Sequence, residues 1–581
     1  MYILGINAYH ADASACIYHD DELIAASEEE RFRRIKHWAG FPTSAIQFCL
    51  NEAKIDIQQV DYIAISRDPK ANFGKKVLTA LKNRLSLGNI INRAKNLKKA
   101  ANIEDEICGF FNLNKGELKA QIINVEHHRS HLASAFFASP YIEAAILSID
   151  GFGDYSSTMI GTGKDNQITV LNTVSYPHSV GVFYTTFTQY LGFPHYGDEY
   201  KVMGLAPYGE AKYVDQLKEV LIFKDDGLFE LNLDYFNHPK KGVQMVWEGG
   251  VPHMDSLFTE KMIEKFDPLR QAGEELNQYH KDLAASVQRI TEELIFHVLN
   301  HLQKRTGLKN FCIAGGVAQN SVANGKILEK TSFENLYIPP AGHDAGTCLG
   351  AALWVYNQIL KKPRIAPTLH GYLGSQFSNE EIIQCLNKQG IPFEKLEGEA
   401  LFDKVTNCLI DSGVVGWFQG RAEFGPRALG HRSIIADPRR ADAKEILNAK
   451  IKRRESFRPF APSILKEYVK DYFEIVDEVP FMEKVFPIKK EKYDEIPAVT
   501  HVDGTGRLQT VDQNIEPKYY GLIENFRKKT GVPILLNTSF NENEPIVNTP
   551  EEALACYLRT KMDMLVMGDI VVSRASNGKL E

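Results

Sequence analysis

The chain has 581 residues, with 67 Lys+Arg against 74 Asp+Glu and a formal net charge of -7. Hydrophobic residues make up 44% and charged residues 24%, a balance that excludes a disordered chain, and the length predicts more than one domain. The acidic total excludes a nucleic-acid-binding surface spread over the whole chain, and no apolar run reaches the ~20 residues of a membrane span.

The amino-terminal MYILG lacks the basic segment of a signal peptide, so a cytoplasmic location is expected. Residues 2–30 read as strand, turn, strand, turn, strand (YILGINAY, HADAS, ACIYH, DDE, LIAASEE), and PTSAIQFCLNEA follows with helical periodicity. Residues 144–174 repeat the pattern with AAILSID, GFGDY, SSTMIGTG, KDNQ and ITVLNTV. Two such meanders predict a duplicated α/β fold with a cleft between its halves. That arrangement resembles the actin, sugar-kinase and chaperone ATPase superfold, which implies nucleotide phosphates held between the two first turns. A Lys-, Asn- and Leu-rich stretch at about 68–120 predicts a solvated helical insertion.

His127 and His131 in VEHHRSHLASAF stand four apart, which puts both imidazoles on one face of a helix at a metal-ligand spacing. Asp150 closes the AAILSID strand, and Asp344 lies in the turn of PPAGHDAGTCLG. Two His and two Asp suit Fe(II), Mn(II) or Zn(II), and the eight scattered cysteines offer no thiolate shell to compete. The 280–305 segment predicts a long amphipathic helix running into the strand NFCIAGGV. There Gly315 and Gly316 permit close backbone approach and Asn320 offers a side chain to a base or ribose. With Gly151 and Gly153 of DGFGD they form the expected nucleotide loops.

KKPRIAPTLHGYLGSQFSN, residues 361–379, reads as an interdomain linker, giving expected domains at 1–365 and 366–581. The second opens on a basic stretch, Arg421 to Arg458, in which arginines alternate with Gly, Pro and small residues. Stacking aromatics are sparse there, so a small phosphorylated ligand fits better than a nucleic acid.

GINAYHADASA, EEERFRRIKH, EHHRSHLASAF, SIDGFGD, GDEYKVMGLAPYG, GGVAQNSVANGKI, GHDAGTCLGAA, GRAEFGPRALGHRSI, KIKRRESFRPFAPS and NTSFNENEPIVNTPEEA together resemble the O-carbamoyltransferase family typified by NodU, CmcH and TobZ. The resemblance implies an amino-terminal TsaD-like ATPase-type domain and a carboxy-terminal α/β YrdC-like domain. It implies that carbamoyl phosphate and ATP, with Mg(II), give carbamoyl adenylate in the second domain. The carbamoyl group then passes to a hydroxyl of a small natural product in the first.

By that resemblance Lys452 and Arg454 match a KxR element, and Ser539 and Asn541 an SxN element. Arg427, Arg458 and Arg507 match the remaining carbamoyl phosphate ligands. The crowded Arg453, Arg454 and Arg458 allow more than one register. His127, His131, Asp150 and Asp344 match the metal site, Gly315, Gly316 and Asn320 the nucleotide loop. His10, as the base for the acceptor hydroxyl, and Asp12 are the catalytic candidates of the first domain, and Lys452 and Arg458 those of the second. A tRNA threonylcarbamoyladenosine-type modification enzyme is the alternative, disfavoured by the acidic composition.

Overall fold

The computed structural model describes residues 1–76, 103–114, 116–242 and 245–574, so the expected helical insertion lies largely outside the described residues. The chain divides into two compact units, Met1–Thr368 and Leu369–Glu581.

The first unit contains two five-stranded sheets of one design. Strands β1 (Tyr2–Asn7), β2 (Ser14–His19), β3 (Glu22–Glu28), β4 (Tyr62–Ile65) and β5 (Gln121–Asn124) lie in the order β3-β2-β1-β4-β5. β1 to β3 form an antiparallel meander, while β4 and β5 continue parallel to β1. The second sheet comprises β6 (Glu143–Gly153), β7 (Ser156–Lys164), β8 (Gln167–Ser175), β9 (Asn310–Ala314) and β10 (Asn335–Tyr337), in the order β10-β9-β6-β7-β8. Its meander is again antiparallel and its last two strands parallel to β6. The expected duplicated actin and sugar-kinase-type fold is present.

The helices follow from local signals. Helix α1 (Thr43–Ala53) buries Ala45, Ile46, Cys49 and Leu50, the stripe that a 3.6-residue period puts on one face. That stripe joins a core of Leu4, Ile6, Ile17 and Ile63. Helix α2 (His127–Phe136) starts where the Glu126 carboxylate accepts the Arg129 N–H at 2.8 Å. Helix α3 (Gln278–Thr306) is the long amphipathic helix expected at 280–305, opened by an Asn277–His280 capping box and closed by left-handed Gly307. Helix α4 (Thr347–Leu353) is wholly buried.

The second unit is built on a nine-stranded mixed sheet. Its strands are β11 (Glu394–Lys395), β12 (Val415–Phe418), β13 (Arg432–Ala436), β14 (Ala461–Leu465), β15 (Lys484–Pro487), β16 (Thr505–Val511), β17 (Ile534–Ser539), β18 (Met564–Met567) and β19 (Ile570–Ser573). They lie in the order β11-β19-β18-β12-β13-β17-β14-β16-β15. β12 and β17 are buried apolar runs on which Trp417, Leu535 and Leu536 are fully covered, each such side chain stabilising by about 1.5–3 kcal/mol. No helix among the described residues is long and apolar enough to cross a membrane.

Candidate active site

In the first unit, the amino-terminal end of α2, the end of β6 and the turn Asp344–Gly346 before α4 converge. His127, His131, Asp150 and Asp344 present ligand atoms that all lie within 4.8 Å of one another. His131 Nε2 is 3.0 Å from Asp150 Oδ2 and 3.1 Å from His127 Nε2. Asp344 Oδ1 lies 3.5 Å from His127 Nε2 and 3.3 Å from His131 Nε2, yet it is buried and accepts no hydrogen bond. Two imidazole nitrogens this close cannot be bridged by more than one proton, and a carboxylate oxygen aimed at both is left over. A divalent cation satisfies all four donors at once, and the mixed N/O set fits Fe(II), Mn(II) or Zn(II).

The electrostatics of the cluster follow from its burial and close packing. Against the downward pull of burial, the neighbouring Asp150 and Asp344 carboxylates lift His131 to about 9. Burial, with His10 beside it, lowers His127. Burial and the neighbouring Asp150 raise Asp344. The backbone supports the cluster: Asp154 Oδ2 accepts the N–H of His127 at 3.0 Å and of Asp68 at 2.7 Å. Gly151 has open space where a Cβ would be, whereas a Cβ on Gly316 would meet Asp150 Oδ1 at 2.8 Å.

Gly315 holds φ 106°, and a Cβ there would strike the Ile149 carbonyl oxygen at 2.2 Å, so the turn after β9 can lie against its parallel neighbour β6 only as glycine. Asn320 also serves the fold. Its Oδ1 accepts the Ala323 N–H at 3.1 Å, and its amide pairs both ways with buried Gln288 at 3.0 Å.

His10 stacks on His127, with ring centroids 4.5 Å apart, and its Nδ1 is 3.7 Å from Asp344 Oδ2. Burial, and Arg67 next, push it down to about 4. Asp12 stands in left-handed backbone (φ 55°) and its Oδ1 is 2.8 Å from Nδ1 of His37, itself at φ 54°. His37 carried no role in the sequence reading, although it ends the quoted RIKH. Its backbone N–H donates to Glu30 Oε2 at 2.9 Å, and a Cβ on Gly197 would sit 2.3 Å from its Nε2. Tight packing and strained backbone of this kind collect where a side chain must be aimed.

The second unit assembles its own constellation. Lys452 ends a π-helical turn, Leu447–Lys452, and is 1% exposed. Its ammonium donates to the Ser539 carbonyl, to the Asn541 carbonyl at 2.8 Å and to Asn541 Oδ1 at 2.6 Å. The KxR and SxN elements are thus in direct contact.

Arg507 is partly buried, its Nε covered and bonded to nothing, and desolvation together with Arg427, Arg454 and Arg458 lowers it well below the ordinary arginine value. Arg454 lies over the Phe460 ring at 4.7 Å, and its Nε donates to Asn448 Oδ1 at 2.8 Å. Arg453 points elsewhere: its side chain is 62% exposed and pairs with Glu542 at 3.0 Å. Of the three crowded arginines, Arg454 and Arg458 act on Arg507, while Arg453 pairs with Glu542.

The loop that carries Arg427 is clamped from both sides. Glu423 Oε1 accepts the N–H groups of Leu429 (2.6 Å), His431 (2.9 Å) and Arg432 (3.2 Å), while Gln509 and Asn537 donate to the Leu429 and Ala428 carbonyls. These three positioning residues lie far apart in sequence and gave no local signal.

The family model for the carbamoyltransferase N-terminus matches residues 2–353, and that for the carbamoyltransferase C-terminus matches residues 406–574. The chain belongs to the carbamoyltransferase family. It is accordingly an enzyme that transfers carbamoyl groups. A nodulation protein NolNO of Sinorhizobium fredii is 38% identical, over 98% of this chain and 80% of its own length. A 3'-hydroxymethylcephem-O-carbamoyltransferase of Amycolatopsis lactamdurans is 27% identical, over 77% of this chain and 80% of its own. An uncharacterised protein of Synechocystis is 41% identical over 100% of this carbamoyltransferase and 98% of its own length. Among solved structures, full-length HypF in its phosphate- and nucleotide-bound form covers 63% of this chain and 56% of its own, at 14% identity and a TM-score of 0.29.

Proposed function

We propose that this carbamoyltransferase activates its carbamoyl group in the second unit and delivers it to an alcohol in the first. Carbamoyl phosphate is hydrolysed by one water to carbamate and phosphate, and a carbamate oxygen then attacks the α-phosphorus of ATP, with Mg(II), to give carbamoyl adenylate and pyrophosphate. The acceptor hydroxyl then attacks the carbamoyl carbon, AMP leaves with the electrons of the broken C–O bond, and the hydroxyl proton goes to a base. The acceptor is a small hydroxylated metabolite, in keeping with the relative whose name specifies a hydroxymethylcephem.

The observation that carries this reading is the cationic cluster around Arg507. A partly buried guanidinium with a covered, unsatisfied Nε and three further arginines acting on it is costly without an anion. Arginine forks match phosphate oxygens bidentately, so the cluster would hold the phosphate groups and neutralise charge as the adenylate forms. Lys452 stands to the side of this chemistry and fixes the turn that carries Ser539 and Asn541.

In the first unit, His127, His131, Asp150 and Asp344 would hold a divalent metal, which when bound supplies Lewis-acid polarisation of an oxygen. Gly151 leaves backbone open for close approach of the nucleotide portion, while Gly153, Gly315 and Gly316 make room for His127, Ile149 and Asp150 beside it. His10 stacks against His127 with Nδ1 turned to Asp344, a position from which a neutral imidazole would take the acceptor proton.

The test is to incubate the protein with ATP, carbamoyl phosphate and Mg(II) or Fe(II), following pyrophosphate release and carbamoyl adenylate by mass spectrometry. Pyrophosphate that appears only when both donors are present supports the reading. None under any metal overturns it.

A further inference from the structure

The loop that carries Arg427 joins β12 to β13, and one imidazole closes it at the foot. The Gln419 N–H donates to the His431 carbonyl at 2.8 Å, and Nδ1 of the same histidine lies 2.5 Å from the Arg421 carbonyl oxygen. On the other side of the ring, Nε2 is 2.5 Å from Oε2 of Glu516. Glu516 immediately precedes helix α5 (Pro517–Thr530), whose Leu522, Ile523 and Phe526 are anchored in the core of the second unit. Tyr372 stacks on the imidazole with ring centroids 4.0 Å apart, and its hydroxyl donates to the Leu429 carbonyl at 3.0 Å.

The partners dictate where the ring hydrogens sit. A carbonyl oxygen only accepts, so Nδ1 carries a hydrogen and donates it to Arg421. Nε2 faces a carboxyl group, and a lone pair against an ionised oxygen would repel, so one proton lies between the two. Burial raises Glu516, with the bond to His431 acting against that rise and Glu423 adding to it. The His431 and Glu516 side chains are 12% and 10% exposed, so water does not replace this bond. With both nitrogens engaged, the ring has nothing left to offer a ligand. What it does for the reaction it does through the loop.

That loop lies on the ligand-bearing face of the sheet. Gln509 on β16 donates to the Leu429 carbonyl at 2.7 Å, and Asn537 on β17 donates to the Ala428 carbonyl at 3.2 Å. Residues two apart on a strand share a face, so Gln509 stands beside Arg507 and Asn537 beside Ser539. Ala428 and Leu429, which directly follow Arg427, therefore rest on the same face as Arg507 and Ser539.

Resting on the donor chemistry proposed above, we propose that His431 is a positioning residue for carbamoyl phosphate: its ring, bonded to Glu516 and backed by Tyr372, fixes the Arg427 loop over the face of β16 and β17 that bears Arg507 and Ser539. A guanidinium displaced by a fraction of a bond length loses its match to an oxyanion, which is why the foot of the loop is held from several sides.

The test is steady-state pyrophosphate release by the full chain with ATP, Mg(II) and carbamoyl phosphate. Glu516→Leu keeps the bulk and removes the partner of Nε2, and His431→Phe keeps the stack on Tyr372 and removes both ring nitrogens. Each is expected to raise KM for carbamoyl phosphate roughly tenfold, with kcat and KM for ATP changed by less than about twofold. Glu516→Gln retains an amide N–H that donates to Nε2, so E516Q should restore KM to within about threefold of wild type.

A merely structural role would lower the active fraction, so that kcat and thermal stability fall while KM holds. That result in E516L and H431F overturns the proposal, and so does an E516Q as impaired as E516L. If neither E516L nor H431F folds, Tyr372→Phe decides, because it keeps the stack and deletes only the tether to Leu429. A KM for carbamoyl phosphate raised about threefold in Y372F supports the assignment, and an unchanged one overturns it. A wild-type protein that releases no pyrophosphate defeats the donor chemistry itself and this assignment with it, a result distinct from a KM that stays constant in working variants.

Discussion

A Cβ built on Gly153 would lie 2.0 Å from Cδ2 of His127. The glycine at the end of β6 is therefore what lets the first imidazole of the metal cluster reach its place. Gly153→Ala should displace His127 and cost about 1–3 kcal/mol by overpacking. Loss of bound metal and of carbamoyl transfer, with pyrophosphate release by the second unit intact, is the expected outcome in metal analysis and activity assays.

Metal removal gives a second expectation. Treatment with a chelator, or His131→Ala, should abolish transfer to the alcohol and leave adenylate formation in place, because His131 contacts both Asp150 and Asp344. Elemental analysis of the purified variant checks the first half, and pyrophosphate release in Mg(II) checks the second.

Lys452→Met should be among the more destabilising substitutions in the second unit. It leaves the carbonyls of Ser539 and Asn541 and the Asn541 side chain without their buried cation, a loss of about 2–4 kcal/mol. Urea denaturation measures this directly.

Arg453 and Arg454 are neighbours in sequence with opposite expected phenotypes. Arg453→Ala removes an exposed pair with Glu542 and should change stability by less than about 1 kcal/mol and pyrophosphate release little. Arg454→Ala should raise KM for carbamoyl phosphate at least roughly tenfold, the scale of a lost charge-assisted contact. Steady-state kinetics on the two variants side by side decide the matter.

The Asp12–His37 pair predicts a pH dependence of stability. Against burial, Asp12 lifts His37 from 6.5 to about 9, and His37 holds Asp12 below its ordinary 3.8. The raised histidine stabilises fully below pH 6.5 and loses that contribution as pH climbs through about 9. The depressed carboxyl stabilises above pH 3.8 and loses it as pH falls through its folded value. Stability from the pair is thus greatest between pH 3.8 and 6.5. His37→Gln should flatten the decline between pH 6.5 and 9 in urea titrations.

Much of this was legible in the sequence, because it is encoded locally. The period-2 meanders, the i, i+4 spacing of His127 and His131 and the capping signals of α3 each depend on neighbours along the chain, so strands, helices and the histidine face could be read directly. The carbamoyltransferase motifs were equally plain, and the density of arginines between Arg421 and Arg458 marked an anion site within an acidic chain.

Tertiary structure decided what depends on direction. Arg453 and Arg454 are indistinguishable as letters, and only the left-handed backbone at Arg453 (φ 43°) sends one side chain outward while its neighbour lies over Phe460. Asn320, which the sequence offers to a base or ribose, also pairs with Gln288, 32 residues away, a contact that no local pattern announces. His37 and Glu423 had no periodicity or spacing to announce them, since each is defined by partners that loops bring together. Sequence determines which chemistry is available through local pattern. Packing determines which lone pair or charge faces the ligand, because orientation is set by long-range contacts that no window of the chain contains.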